Sequence, residues 1–475
     1  MAAPPRAHAA TVLRDAVLVV ALAAVLVVPP VSQRLIVTSH EARFALIARD
    51  MLNRHVWFDV KVRGVPYRNK PPLHPWSIAA GSWWRGRVTD GSARLPSALA
   101  TVATVLGAFL LAQTLFGRRA GLWAALVMAT SYGVFAHSQM ILPDVPMIAF
   151  ATFAGYAFWR AMTGPAGGTA LVAFYAMLAL GVFVKGPAGL LPLAVAIVWL
   201  WTEHGVSGLR KLWSLPGVAL FVALSLVWLV PFVAFSETDR VVRGVLWLDW
   251  IRYYFRAPRP GTFAAQFLEL LGGFLPWTLL APFAFVHAFR TRSEPPVRFA
   301  ILWFAVQFVL IMAATSQRVR YLLSLYPGLA LLVGWWAADD RRSRRAAVVT
   351  WTAAAMAVAL FSGVWIYNGW INAKGNFKAL AATVERHARG GEVGVFVSKG
   401  EYLQIDYYLG RELKTLDFPS DLAAYVAKPE RPVVVVNQEN WERHERQMPA
   451  DLRVLEAPFV GGETMRLVRL GPPAP

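Results

Sequence analysis

The chain has 475 residues, 57% of them hydrophobic and only 16% charged, with a formal net charge of +19 and a mean hydropathy of +0.46. A soluble domain of this length carries more charge, and here the apolar residues fall in long blocks rather than in amphipathic stripes, which excludes an ordinary soluble globular fold. There is no cysteine, so disulfides, thiolate catalysis and cysteine-ligated zinc are excluded. The positive charge, set among such blocks, belongs beside anionic lipid headgroups and not on nucleic acid.

Blocks near ~20 residues match the hydrocarbon thickness of a bilayer and predict helices. About eleven spans are expected, near 15–31, 95–115, 119–138, 144–162, 169–184, 187–202, 216–235, 264–288, 297–314, 321–338 and 346–367. Arg6 and Arg14 precede the first block, as in a signal peptide, but no small-residue cleavage site follows, so it reads as a retained anchor. A polar loop, 32–94, comes next. In it, His40-Glu41-Ala42-Arg43 opens a segment with Phe44, Ile47, Ala48 and Met51 on one helical side, which predicts an amphipathic helix at the membrane interface. Lys70-Pro71-Pro72 follows, the prolines fixing an extended segment that holds Lys70. Asp144, between Pro143 and Pro146, stands at the mouth of the fourth span, either as a helix cap or as a carboxylate held at the membrane boundary. Lys185-Gly186-Pro187 breaks the fifth span from the sixth. The 236–263 loop carries Asp249, Arg252, Tyr253 and Arg256, and Arg318, Arg320 and Tyr321 open the tenth span.

The fold class is thus an α-helical polytopic membrane protein with a small C-terminal α/β domain, divided as a transmembrane module over 1–367 and a soluble domain over 368–475. In the latter, 377–388 has helical spacing, and EVGVFVS, RPVVVVN and TMRLVRL read as strands. Its scattered charges, Glu401, Asp406, Glu442 and His444, read as a solvated face rather than a second site. By parity, the 32–94 loop, the Asp144 and Lys185 turns, the 236–263 and 317–320 loops and the tail share one side of the membrane. The short loops with Arg118 and Arg119, Arg210 and Lys211, Arg290 and Arg292, and the cluster Arg341, Arg342, Arg344 and Arg345 share the other. That cluster favours placing the short loops in the cytoplasm, and the first set outside. Lys, Arg and Tyr brought to one face with Glu41 and Asp144 suit an anionic phosphate ligand and an acid–base step.

These residues resemble the GT-C glycosyltransferases, in the branch of bacterial lipid A aminoarabinose transferases and dolichyl-phosphate-mannose–protein mannosyltransferases. The resemblance runs over roughly 12–340 and rests on the order of several motifs: His40 to Arg43 with Arg49-Asp50-Met51, Gly64 to Pro72, Ala93 to Pro96, Phe116 to Gly121, Asp144-Val145-Pro146, Lys185 to Pro187, Leu275 to Trp277, and Arg320 to Pro327. It implies transfer of a sugar, with inversion, from a polyisoprenyl-phosphate carrier to a hydroxyl on a lipid, glycan or protein. The reaction is placed at the outer face of a bacterial plasma membrane. Glu41, Asp144 and His40 are the candidates for catalysis. Arg43, Tyr67, Lys70, Lys185, Arg252, Arg320 and Tyr321 are the candidates for binding substrate. Two departures matter: His40 stands where the family has the first of two acids, and Asn69 where it has the acid before Lys-Pro-Pro. A divalent metal ion as cofactor is therefore left open. The alternatives are a transporter or flippase for lipid-linked saccharides and an inactive paralogue; candidate groups crowded on one face favour an enzyme over an alternating pathway.

Overall fold

The computed structural model describes residues 5–67, 70–234, 262–313, 318–339, 344–397 and 402–471. The chain opens with helix α1 (Pro5–Val27) and, after a short turn, α2 (Ser39–Arg54). Thr38 caps α2, its hydroxyl accepting the Glu41 N–H at 3.2 Å, which satisfies one of the orphan donors of the first turn. The hairpin β1 (Lys61–Val62) and β2 (Val65–Pro66) leads to α3 (Leu73–Ser82) and to α4 (Asp90–Phe116), which starts with a Thr89–Ser92 capping box.

The apolar bundle continues through α5 (Arg118–Thr130), α6 (Tyr132–Ser138), α7 (Asp144–Thr163), α8 (Gly167–Lys185), α9 (Leu191–His204) and α10 (Leu215–Ala234). Beyond the 235–261 stretch come α11 (Thr262–Gly273), α12 (Ala281–Arg290), α13 (Pro295–Ala313), α14 (Tyr326–Ala338) and the long α15 (Arg344–Lys374). Among the described residues, six helices are long and apolar enough to cross a membrane, or eight if each of two bent pairs is one span. The expected eleven is not reached by that measure. The segment expected at 264–288 is split into α11 and α12, of 12 and 10 residues, each too short at ~1.5 Å per residue to cross about 30 Å of hydrocarbon. The run Gly167–His204 counts once, although the chain does turn at the expected Lys185–Pro187 break. There Gly186 has φ +71°, and the backbone folds back so closely that a Cβ on Gly189 would lie 2.3 Å from the Gly181 carbonyl carbon.

Helix α2 departs from expectation in its surroundings. Phe44, Ile47, Ala48 and Met51 do form one face, but they are buried in protein, in a cluster with Ile36, Ile78, Ile141 and Leu403. The 32–94 loop and the tail supply enough apolar surface to cover that face, so it rests on protein rather than on lipid.

The tail is an α/β domain. Strands β3 (Val393–Phe396), β4 (Lys414–Thr415), β5 (Val433–Asn437), β6 (Leu452–Glu456) and β8 (Glu463–Leu470) form a sheet in the order β4-β3-β5-β8-β6, with β7 (Phe459–Val460) paired to β8. The pairs β3–β4 and β3–β5 are parallel; β8 runs antiparallel to β5 and β6. Helices α16 (Phe377–Ala388), α17 (Leu403–Leu409), α18 (Pro419–Val426) and α19 (Gln438–His444) accompany it. Asp406 corrects the expectation of a solvated face: it is fully buried and takes both Arg63 Nε, at 3.0 Å, and Arg63 Nη2. Through α17 the tail grips the first loop. Tyr408 OH donates to Asp90 at 2.8 Å, and Gln404 bonds Ser39 and the Val37 carbonyl, each at 2.9 Å. Residue 401 and the 341–342 part of the basic cluster lie outside the described residues.

Candidate active site

Helices α7 and α8 pack as an antiparallel pair, which sets the first residue of one beside the last residue of the other. Those residues are Asp144 and Lys185. An acid at a helix start and a base at a helix end each complement the local backbone dipole, and here they also meet: Lys185 Nζ donates to Asp144 Oδ1 at 2.5 Å, with both side chains buried. Arg320, from the turn before α14, approaches the other oxygen, Nε to Oδ2 at 3.6 Å. The Lys185 ammonium also lies 4.2 Å from the ring centroid of Tyr321, in cation–π range. Lys70 stands within electrostatic reach of the same carboxylate. Four of the expected residues, Asp144, Lys185, Arg320 and Tyr321, thus converge from three separate segments.

Glu41 sits close by but is differently engaged. Its Oε1 accepts from Arg94 Nη2 at 3.1 Å and from the Ile141 N–H at 3.3 Å, and Oε2 from the Thr38 hydroxyl at 3.3 Å. Arg94 is itself fully buried and also holds the carbonyls of Arg34, Leu35 and Asp90. Burial pushes the Glu41 carboxyl up, but Arg94 and Arg34 outweigh it and hold the group below the usual carboxylate range. Glu41 therefore ties α2 to α4 and to the backbone three residues before Asp144.

His40 faces the same cleft and meets Phe44 edge-on, with centroids 5.3 Å apart. Burial, with Arg320 adding to it, lowers the imidazole to about 4, so it is neutral near neutral pH. On the other side of Phe44, at 5.1 Å, lies His74, which is 1% exposed and lacks a partner at either nitrogen. Burial lowers it to about 3. Arg43 and Tyr67 pair with each other, guanidinium to ring centroid at 5.4 Å. Arg252 lies outside the described residues.

A cleft of about 600 Å³ opens beside this cluster, lined by Arg34, His40, Glu41, His137, Glu269 and Arg320 among others. Sequence reasoning missed Arg34, His74, Arg94, His137 and Glu269 as site residues. The only signal for His74 was a polar residue inside the apolar run after Pro72, and nothing local marked Glu269. Among the described residues, no three His, Asp or Glu side chains stand in metal-ligating geometry.

Apolar helices carry a buried acid–base cluster at one end, against the 32–94 loop and the C-terminal α/β domain, and solved structures share this fold. The ArnT of Cupriavidus metallidurans, solved with undecaprenyl phosphate, superposes with a TM-score of 0.81 at 18% identity over 96% of this chain and 99% of that one. The oligosaccharyltransferase AglB of Archaeoglobus fulgidus, with peptide and dolichol phosphate, gives 0.58 at 12% identity over 92% and 70%. In sequence, the family described as dolichyl-phosphate-mannose-protein mannosyltransferase matches residues 69–234. The undecaprenyl phosphate-alpha-4-amino-4-deoxy-L-arabinose arabinosyl transferase 2 of Pseudomonas fluorescens is 30% identical over 64% of this chain and 56% of its own length. A Pseudomonas paraeruginosa relative is 30% identical over 62% and 54%. Over part of its length the chain is similar in sequence to aminoarabinose transferases and to the protein-mannosyltransferase family, and it is similar in fold to ArnT. It spans about half the length of the curated relatives it matches.

Proposed function

We propose that this protein transfers a sugar from a polyisoprenyl-phosphate carrier to a hydroxyl-bearing acceptor, with inversion at the anomeric carbon, on the outer face of a bacterial plasma membrane. The observation that carries the reading is the buried Asp144 between Lys185 and Arg320 at one end of an apolar bundle. Two cations held in low dielectric are suited to a leaving phosphate. The prenyl chain lies against the apolar helices, and the 1–367 module carries the chemistry beneath the 368–475 domain. The donor phosphate takes Lys185 and Arg320 from Asp144, with Lys70 and Tyr321 completing its surroundings. The carboxylate so released faces the reacting centre and orients the incoming hydroxyl. As the acceptor oxygen attacks the anomeric carbon, the bond to the phosphate oxygen breaks on the opposite face, and its electron pair leaves on the carrier. Glu41 acts from behind, holding the backbone that carries Asp144, and His40 closes the cleft wall as a neutral imidazole.

The test is sugar transfer from a panel of synthetic polyisoprenyl-phosphate sugars by purified wild type and Asp144→Asn. Transfer by the wild type that falls by about 10²–10⁴ in the variant supports the reading. Carrier binding without transfer from any donor would sink it and favour a transporter of lipid-linked saccharides.

A further inference from the structure

His137 lies near the end of α6 and points into the cleft. Its Nδ1 is 2.7 Å from the Gly133 carbonyl oxygen. A carbonyl can only accept, so Nδ1 carries the ring proton and Nε2 keeps the lone pair. The backbone of α6 thus selects the tautomer, leaving Nε2 as the basic nitrogen; it has no partner among the described residues. The charged and titratable groups facing this ring come from five other segments. They are Arg34 after α1, His40 and Glu41 of α2, Asp144 of α7, Glu269 of α11, and Arg318 and Arg320 before α14.

The other acceptors in the cleft are less suited to taking a proton. Both Glu41 oxygens are committed to Arg94, Ile141 and Thr38. Asp144, though released to orient the hydroxyl, stays close to Lys185 and Arg320, whose charges favour its ionised form. The Nε2 of His40 is shut away from solvent. Glu269 stands in the exposed wall of the cleft, where water competes for it.

We infer that His137 is a catalytic residue of the proposed transfer, receiving the acceptor hydroxyl's proton at Nε2. The inference rests on the function proposed above and assigns the proton's destination within it. The acceptor O–H bond breaks as its oxygen joins the anomeric carbon, and the proton passes to Nε2. The resulting imidazolium keeps its Nδ1–H on Gly133 and lies in the field of Asp144. The electron pair of the broken anomeric bond departs on the carrier phosphate, so charge and atoms balance.

The decisive variant is His137→Asn. Its side-chain amide can still donate to the Gly133 carbonyl but offers nothing in place of Nε2, so a purely structural role survives the change and a catalytic role does not. The expected result is undecaprenyl phosphate affinity within about threefold of wild type, with kcat reduced by about 10²–10⁴ and the acidic limb of the pH–rate profile abolished. Near-normal kcat, or reduced kcat with the acidic limb intact, overturns the assignment. So does loss of that limb in Glu269→Gln but not in His137→Asn. Should the variant not fold, diethyl pyrocarbonate on the wild type decides: acylation of His137, read by peptide mass spectrometry, must track inactivation and be blocked by acceptor. Inactivation without acylation of His137 refutes the proposal. Wild type that transfers from no donor overturns the underlying function and this assignment together, whereas active wild type with active His137→Asn overturns this assignment alone.

Discussion

Asp144 pairs with the cations assigned to the donor phosphate in the proposed transfer, so there phosphate and carboxylate compete for Lys185 and Arg320. Removing the carboxylate's charge removes the competitor. Asp144→Asn is expected to bind undecaprenyl phosphate about tenfold more tightly, a change worth ~1.4 kcal/mol, while losing transfer. Titration calorimetry in detergent checks the sign, and weaker binding by the variant would count against the exchange of partners. Acid should also loosen this region. His40 and His74 titrate at about 4 and about 3 in the folded chain because burial disfavours their charged forms, against roughly 6.5 when exposed. As pH falls below ~6.5 the unfolded state takes up protons that the folded state refuses, so each histidine removes roughly 1.4 kcal/mol of stability per pH unit until its own folded value is reached. Glu41 acts in a lower window: its folded carboxyl is depressed, so its contribution is present above ~4.3 and is lost as pH falls through the folded value. Thermal unfolding between pH 7.5 and 5 should therefore show falling stability, and His74→Gln should reduce the slope by roughly 1.4 kcal/mol per pH unit. An unchanged slope would rule out His74 as a source.

At the scale of elements, the bundle depends on close approaches that glycines permit. Gly155 of α7 faces Trp303 of α13, and an added Cβ would lie 2.2 Å from the indole Cζ3. Trp303 is buried and stiff, so it cannot swing aside as a long flexible chain would. Gly155→Ala is expected to cost about 1–3 kcal/mol through overpacking, seen as a lower unfolding temperature; an unchanged temperature would show that the two helices separate freely. These contacts explain what the sequence could convey. Helices and strands were legible where hydrophobic period and block length specify them, as in α2, α16, β3, β5 and β8. The Lys185 turn was legible because Gly-Pro punctuates an apolar run. Strands β4, β6 and β7 lack a continuous apolar run, and α17 is a single short segment whose burial comes from its partner loop. Asp144, Lys185 and Arg320 could be named because a charge at the edge of an apolar block is conspicuous. That Glu41 would be consumed by Arg94 could not be seen, since residues 53 positions apart meet only through the packing of α2 on α4. His137 was hidden for a different reason: the sequence does not show its ring nitrogen resting on the Gly133 carbonyl of its own helix.

At the scale of the molecule, the chain has no cysteine, so single cysteines report orientation without background. Ser420 lies exposed on the tail, and Ser207 is exposed beyond the end of α9. That end stands away from the Asp144 cluster, since Trp199 packs on Phe158 and Trp159 near the far end of α7. If the tail and the cleft face outward, Ser420→Cys in intact cells reacts with a membrane-impermeant maleimide and Ser207→Cys reacts only after lysis. The reverse pattern would invert the orientation and place the reaction on the cytoplasmic side.

The Asp144–Lys185–Arg320 arrangement bears on what the protein ignores. Free inorganic phosphate is small, strongly hydrated and has no chain to bury. To occupy these cations it must displace a carboxylate already in contact with them, in a site where stripping its hydration is costly. A lipid-borne phosphate arrives with its apolar chain already in the bilayer and confined to the plane in which the site lies, which raises its effective concentration. In the proposed transfer the ion pair would thereby act as a filter against a common solute, admitting phosphate to the site only when it comes tethered to the membrane.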